Sequence, residues 1–78
     1  MVRIVACDNI RIYVYANEAG QPHHTPHCHV YWPDGSCVVA LDSLSVLRGD
    51  ELTKAARTLI EEHVQTARTA WEELNGTS

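Results

Sequence analysis

Two hydrophobic patterns divide the chain into a first and a second part. Between residues 2 and 41, apolar and polar residues alternate in short runs, which is typical of half-buried β-strands. From about residue 50 to about residue 75, apolar residues recur at intervals of three and four, which is typical of one face of an α-helix. The patterns therefore predict an α+β fold, in which a small antiparallel β-sheet packs on one long C-terminal α-helix.

Four strands in two hairpins are predicted within the first part. Asp8 and Asn9 favour the tight turn of the first hairpin, and the Pro-Asp-Gly sequence at residues 33–35 favours the turn of the second. Between the hairpins, residues 17–26 contain glycine and proline and predict a loop. The four predicted strands cover residues 2–6, 10–15, 27–32 and 37–41.

The predicted helix is longer than the predicted strands. It starts at Asp50, a favourable N-cap residue, and stops near residue 75. A helix of about 25 residues spans roughly 37 Å, whereas strands of five or six residues span about 17–20 Å. We therefore expect the far end of the helix to outrun the sheet and to pack on a second copy of the chain or on a small partner protein. This predicted interface consists of Ala67, Trp71 and Leu74.

The length of the chain predicts one small domain, residues 1–78. A domain of this size buries only about 60% of its unfolded surface, so its stability is marginal without a partner or a metal. Its apolar runs are shorter than the roughly 20 residues that cross a membrane, and the N-terminus lacks the apolar core of a secretory signal. The odd number of cysteines, three, favours the reducing cytoplasm.

The formal net charge of −4 predicts weak general attraction to nucleic acids. RNA binding would therefore need a local basic patch, and the cationic residues are scattered along the sequence. The candidates for such a patch are Arg3, Arg11, Lys54, Arg57 and Arg68.

The main chemical signal is a cluster of four histidines and one cysteine within residues 23–29. In a strand, His27 and His29 leave the same face, and Tyr31 continues that row. Cys28 leaves the opposite face, toward the helix. If the second and third strands are neighbours, the face with the histidines also carries Arg11, Tyr13 and Tyr15.

Three functions are compatible with this face. The first is a metal site, in which His27, His29 and His23 supply zinc ligands. The second is acid–base catalysis, such as RNA cleavage, by His27 and His29. The third is a binding surface for a protein or a nucleic acid, formed by Arg11, Tyr13, Tyr15 and Tyr31. A purely structural interpretation also stays open, in which the imidazoles hydrogen-bond the predicted loop and hold it to the sheet.

Several segments of the chain together resemble one bacterial protein family. They are Asn17-Glu18, Pro26-His27-x-His29-Val30 and Ala70-Trp71, within a similarity that covers about residues 10–74. On these motifs the chain resembles the domain-of-unknown-function family forty-one-sixty, and His27 and His29 match the histidine pair of that family. His23, His24 and Cys28 lie outside the family pattern.

The resemblance implies a cytoplasmic bacterial or phage protein. Members are often encoded beside another small protein, in pairs that look like toxin–antitoxin modules. We therefore expect a component of a two-protein module that acts through protein contact, with RNA as a further partner. A histidine-dependent ribonuclease and a small metal-binding protein are the two alternatives.

Overall fold

Five antiparallel strands followed by one helix make up the described part of the chain. A computed structural model describes residues 2–15 and 26–75. Its sheet, packed on a long C-terminal helix, confirms the predicted α+β fold class. The elements are β1 (Val2–Cys7), β2 (Ile10–Val14), β3 (His27–Trp32), β4 (Gly35–Ala40), β5 (Val46–Gly49) and α1 (Lys54–Asn75).

The strands lie in the sheet in chain order, so each strand pairs with the next one. Asp8 and Asn9, between β1 and β2, have φ angles of 51° and 67°. Such left-handed values at both central positions belong to a turn whose twist matches that of the flanking strands, and Asp and Asn tolerate them well. Both predicted hairpins are therefore confirmed. The loop predicted at residues 17–26 lies outside the described residues except for Pro26.

The four predicted strands leave out a fifth, β5, which pairs with β4 at one edge of the sheet. The connection that precedes it contains Leu44 at a φ angle of 59°. At its end, Gly49 has a φ angle of 100°, and a Cβ atom there would lie 2.7 Å from the carbonyl oxygen of Ser36. Glycine has no Cβ atom, so it adopts this φ angle without strain and leaves room for the close approach of β4. With four residues, β5 is too short to produce a recognisable alternation.

The core lies between one face of the sheet and one side of α1. Ile12, Val30 and Val39 lie on this face in neighbouring strands and are buried with Ala56 and Ile60 of the helix. Removing such apolar surface from water is the main favourable contribution to folding. The helix contacts β1, β2 and β3 from this side. Within the described ranges, no helix is both long and apolar enough to cross a membrane.

The helix begins at Lys54, four residues later than the predicted start. Thr53 is its N-cap, because the Thr53 hydroxyl oxygen accepts a hydrogen bond of 3.1 Å from the amide of Ala56. The prediction that Asp50 caps the helix is wrong. The Asp50 carboxylate instead accepts a hydrogen bond of 3.0 Å from the amide of Ser36 and so ties the end of β5 to β4.

The far end of the helix packs on the chain itself. Ala67 and Trp71 are 2% and 5% exposed and belong to the core, and Leu74 is half-buried against the core. The expectation that these three residues lack a partner within one chain is therefore wrong. The later start shortens the helix to 22 residues, about 33 Å. Trp71 covers the beginning of β3, where the centroid of its ring lies 4.7 Å from that of the His27 ring.

Candidate functional site

The sheet face opposite α1 carries the aromatic and cationic side chains of the strands. Residues that pair directly across antiparallel strands send their side chains to the same face. A single row of paired residues therefore crosses all five strands, and a shorter row crosses β2, β3 and β4 beside it. The long row is Arg3, Tyr13, His29, Val38 and Arg48, and the short row is Arg11, Tyr31 and Ser36. We call these eight residues, together with Tyr15 at the end of β2, the aromatic face.

The rings of the aromatic face form one continuous cluster. The ring centroids of Tyr13 and Tyr15 are 6.3 Å apart and those of Tyr13 and Tyr31 are 5.8 Å apart. Tyr15 also meets His29 edge-on at 4.4 Å, and its hydroxyl lies 3.0 Å from that of Tyr31. All four residues are half-buried, so each ring is held in place and still reaches the surface. The structure thus brings together the tyrosines that the sequence assigned to a binding surface.

His27 differs from His29 in its surroundings. The two ring centroids are 5.5 Å apart, but His27 is only 8% exposed, and Trp71 packs against it. The expectation that both imidazoles lie side by side on an open face is therefore wrong for His27. A proton-transfer pair must reach the reacting groups of its substrate. This geometry offers the half-buried His29 for contact and makes His27 a supporting residue beneath it.

The described strands contain three arginines and no aspartate or glutamate. Arg3 and Arg48 lie at the two ends of the long row, and Arg11 lies opposite Tyr31; all three are exposed. The acidic residues of the described chain lie in turns, in the segment before the helix and on α1. The fold therefore gathers cations from distant points of an acidic chain onto one face, which a net charge of −4 does not reveal.

A depression of about 240 Å³ opens on the aromatic face between β3, β4 and β5. His29 and Tyr31 bound it on one side and Arg48 bounds it on the other, with Ser36 and Val38 between them. Arg48 was missing from the residues singled out by sequence because β5 itself was not predicted. The signal that could have found it is the short Val-Leu-Arg-Gly run, in which an apolar pair and a terminal glycine mark a strand end.

Three histidines were predicted to bind zinc, namely His27, His29 and His23. The described residues include the first two of them. His23 lies outside the described residues, as does His24. Among the residues that are described, no group of three histidine, cysteine or acidic side chains could hold a metal ion. Cys28 adds no ligand, because its side chain is buried in the core and leaves β3 on the face opposite His29. Zinc binding by this set stays a prediction.

The architecture and its exposed side chains define a class of protein, a small α+β domain that presents an aromatic and arginine-bearing sheet face. The chain belongs to the family described as Domain of unknown function (DUF4160), whose family model matches residues 9–73. This match confirms the resemblance seen in the sequence motifs, and the matched range includes every residue of the aromatic face except Arg3. Neither a curated protein nor a solved structure matches the chain.

Proposed function

We propose that the protein is a small cytoplasmic component of a toxin–antitoxin-like two-protein module and that its aromatic face binds single-stranded RNA. The observation that carries the RNA contact is the coincidence of a ring cluster with exposed arginines and no carboxylate on the strands. Aromatic rings stack on unpaired bases, and arginines neutralise the phosphates beside them. The rings thus supply the stacking contact, and the arginines supply the phosphate contact, that such a ligand requires.

The dimensions of the face favour a single strand over a duplex. Five strands spaced by about 4.8 Å give a surface roughly 19 Å across, which suits a few splayed nucleotides. Tyr13 and Tyr31 lie near the centre of this surface, with ring centroids 5.8 Å apart in an edge-to-face arrangement. Bases inside a duplex are stacked on one another and offer no free ring surface, so this face would lose its main contact there.

Replacing Tyr13 by leucine tests the stacking contact. Tyr13→Leu keeps an apolar side chain in the ring cluster but removes the aromatic plane. Loss of one stacked base costs about 1–3 kcal/mol, so we expect the dissociation constant for RNA to rise by about 5- to 160-fold. Fluorescence anisotropy with a labelled single-stranded RNA of about twelve nucleotides measures the change, with unlabelled duplex of the same sequence as a competitor.

Tyr13→Phe is the matched control, because it keeps the ring and removes only the hydroxyl. Its affinity should stay within about twofold of the unchanged protein, since stacking uses the face of the ring. The proposal fails if the unchanged protein does not bind the RNA, if duplex competes as well as single strand, or if Tyr13→Leu binds normally.

The same samples distinguish binding from RNA cleavage. After incubation we expect the RNA to remain at full length on a denaturing gel, because only one histidine of the pair is accessible on the face. Shortened RNA with the unchanged protein, together with intact RNA after His29→Ala, would replace the binding role by a ribonuclease role.

A role in a two-protein module predicts that growth depends on the neighbouring gene. We expect cells that express the protein alone and cells that express it with its neighbour to grow at different rates. Tyr13→Leu should reduce that difference, because it weakens the RNA contact without emptying the core. Equal growth of the two strains at matched protein levels would contradict the module.

A further inference from the structure

The depression beside β5 has the chemistry of an anion site. We propose that the depression bounded by His29, Tyr31 and Arg48 is a phosphate subsite that holds one backbone phosphate of the single-stranded RNA. This inference rests on the proposed RNA binding and adds a specific residue and a path for the strand. It assigns Arg48, at the edge of the sheet, to the phosphate and the tyrosines to the bases.

The spacing of the strands places a phosphate between Arg48 and His29. Arg48 pairs with Val38, and Val38 pairs with His29, so the two polar residues lie two strands apart, about 10 Å. A phosphate above Val38 is then within reach of both side chains. Val38 has an aliphatic side chain, so it offers no polar group that would compete for the guanidinium, and the arginine is exposed.

Two residues that carry hydroxyl groups also bound the depression. Tyr31 and Ser36 pair directly across β3 and β4, beside the row that contains Val38. The Tyr31 hydroxyl is positioned by its 3.0 Å contact with the hydroxyl of Tyr15. Hydroxyls and guanidinium groups are the usual side-chain donors to phosphate oxygens. The subsite therefore combines the permanent positive charge of Arg48 with the neutral hydroxyl donor of Ser36.

The carboxylate nearest to the end of β5 does not oppose this charge on the aromatic face. Asp50 follows Gly49 and accepts a hydrogen bond from the Ser36 amide. Its carboxylate lies on the side of Gly35 where a Cβ atom would also meet the ring of Trp32. Trp32 alternates with Tyr31 along β3 and so points to the helix side of the sheet. The backbone of β4 thus separates Asp50 from the depression.

A phosphate at this subsite orients the RNA across the strands. With the phosphate beside Arg48, the adjoining nucleotide extends over His29 toward Tyr13, which lies opposite His29 on β2. Arg3 and Arg11 then flank the other end of the bound RNA segment. Arg48 would therefore contribute affinity through its charge and its hydrogen bonds to the phosphate, whereas the tyrosines contribute through stacking.

The salt dependence of RNA binding separates these two contributions. For single strands, the logarithm of the binding constant falls with the logarithm of the salt concentration by about 0.7 for each neutralised phosphate. Arg48→Gln should therefore reduce the slope by about 0.7 and weaken binding to all RNA sequences alike. Arg48→Lys should keep the slope, because it keeps the charge. Tyr13→Leu should lower the affinity and leave the slope unchanged.

Arg57→Gln is the control for general charge effects. Arg57 is exposed on α1, which packs on the opposite face of the sheet, so its removal changes the net charge equally but leaves the subsite intact. Its slope should match that of the unchanged protein. Two results would overturn the subsite while leaving RNA binding in place. One is an equal salt-dependence slope for Arg48→Gln and the unchanged protein, and the other is an equal loss of RNA affinity for Arg48→Gln and Arg57→Gln. A failure of the unchanged protein to bind RNA would overturn both proposals. Thermal melting checks that each variant is folded, and Arg48→Ala, which also removes the charge, takes the place of Arg48→Gln if that variant is not.

Discussion

Trp71→Ala should lower the free energy of unfolding by about 3–5 kcal/mol, as truncation of a buried tryptophan generally does. Trp71 is 5% exposed and packs within the core near the end of α1. Domains of this length are stabilised by only about 4–12 kcal/mol in total. One substitution should therefore remove a large share of the stability. Urea unfolding followed by circular dichroism measures it without depending on the fluorescence of the deleted indole.

Trp71→Phe is the matched variant, because it keeps an aromatic ring against His27 and removes less volume. Its loss of stability should be clearly smaller than that of Trp71→Ala. The helix length expected from the sequence placed this residue in an interface with a second molecule, which would make the unfolding midpoint rise with protein concentration. We expect no such dependence, since the chain buries Trp71 by itself. A loss below about 1 kcal/mol for Trp71→Ala would contradict its place in the core.

The same substitution connects the core to the aromatic face. The ring of Trp71 lies 4.7 Å from that of His27, and His27 lies 5.5 Å from His29. Removing the indole uncovers His27 and takes away the packing that fixes the start of β3. We therefore understand Trp71 as a residue that supports the position of the ring cluster from beneath.

The parts of the site that could be predicted from sequence depend on alternation. In a strand every second side chain leaves the same face, so the patterns around Tyr13 and around His29 placed both on one side of the sheet on the condition that their strands are neighbours. The turn chemistry of Asp8 and Asn9 brought β1 and β2 together in the same way. Local pattern and turn chemistry therefore predicted the hairpins and most of the aromatic face.

The remaining parts depend on distances between segments that are far apart in sequence. Arg48 joins the face only because β5 pairs with β4, and that strand is too short to leave a periodic signal. His27 packs against Trp71, a residue more than forty positions later in the chain. The charge separation likewise follows from the fold, since Arg3, Arg11 and Arg48 are scattered along the chain. The short Val-Leu-Arg-Gly run marks the end of β5, but no local pattern shows which strand β5 pairs with or which residue packs against His27.

Alkaline pH should destabilise the protein through its buried thiol. Cys28 is fully buried, and burial, with a smaller contribution from Cys37, raises the pKa of its thiol from 9.0 to about 12. Between these values the folded state keeps the proton while the unfolded state releases it, so stability falls as the pH rises. The contribution of the protonated Cys28 thiol to stability is fully present below pH 9.0 and is lost progressively between pH 9.0 and about pH 12. Each pH unit in this window costs about 1.4 kcal/mol.

Cys28→Ala isolates this effect when each protein is compared with itself at two pH values. The variant loses some packing at neutral pH, but its further loss between pH 8 and pH 10 should be smaller than that of the unchanged protein by about 1 kcal/mol. Urea unfolding at both pH values measures it. Every other side chain is common to both proteins, so its contribution cancels in the comparison. Cys37→Ala should act in the same direction, because burial, followed by the charge of Asp50, raises the pKa of that thiol also.

Cys7→Ala is the control that separates the effect of burial from the effect of a raised thiol pKa alone. The carboxylate of Asp8 raises the pKa of Cys7, but Cys7 is exposed and Asp8 is its neighbour in sequence. The same carboxylate stays beside the thiol after unfolding, so this pKa shift is largely common to both states and changes stability little. Cys7→Ala should therefore lose as much stability at alkaline pH as the unchanged protein. If Cys28→Ala does so too, the thiol of Cys28 is not buried in the core as described.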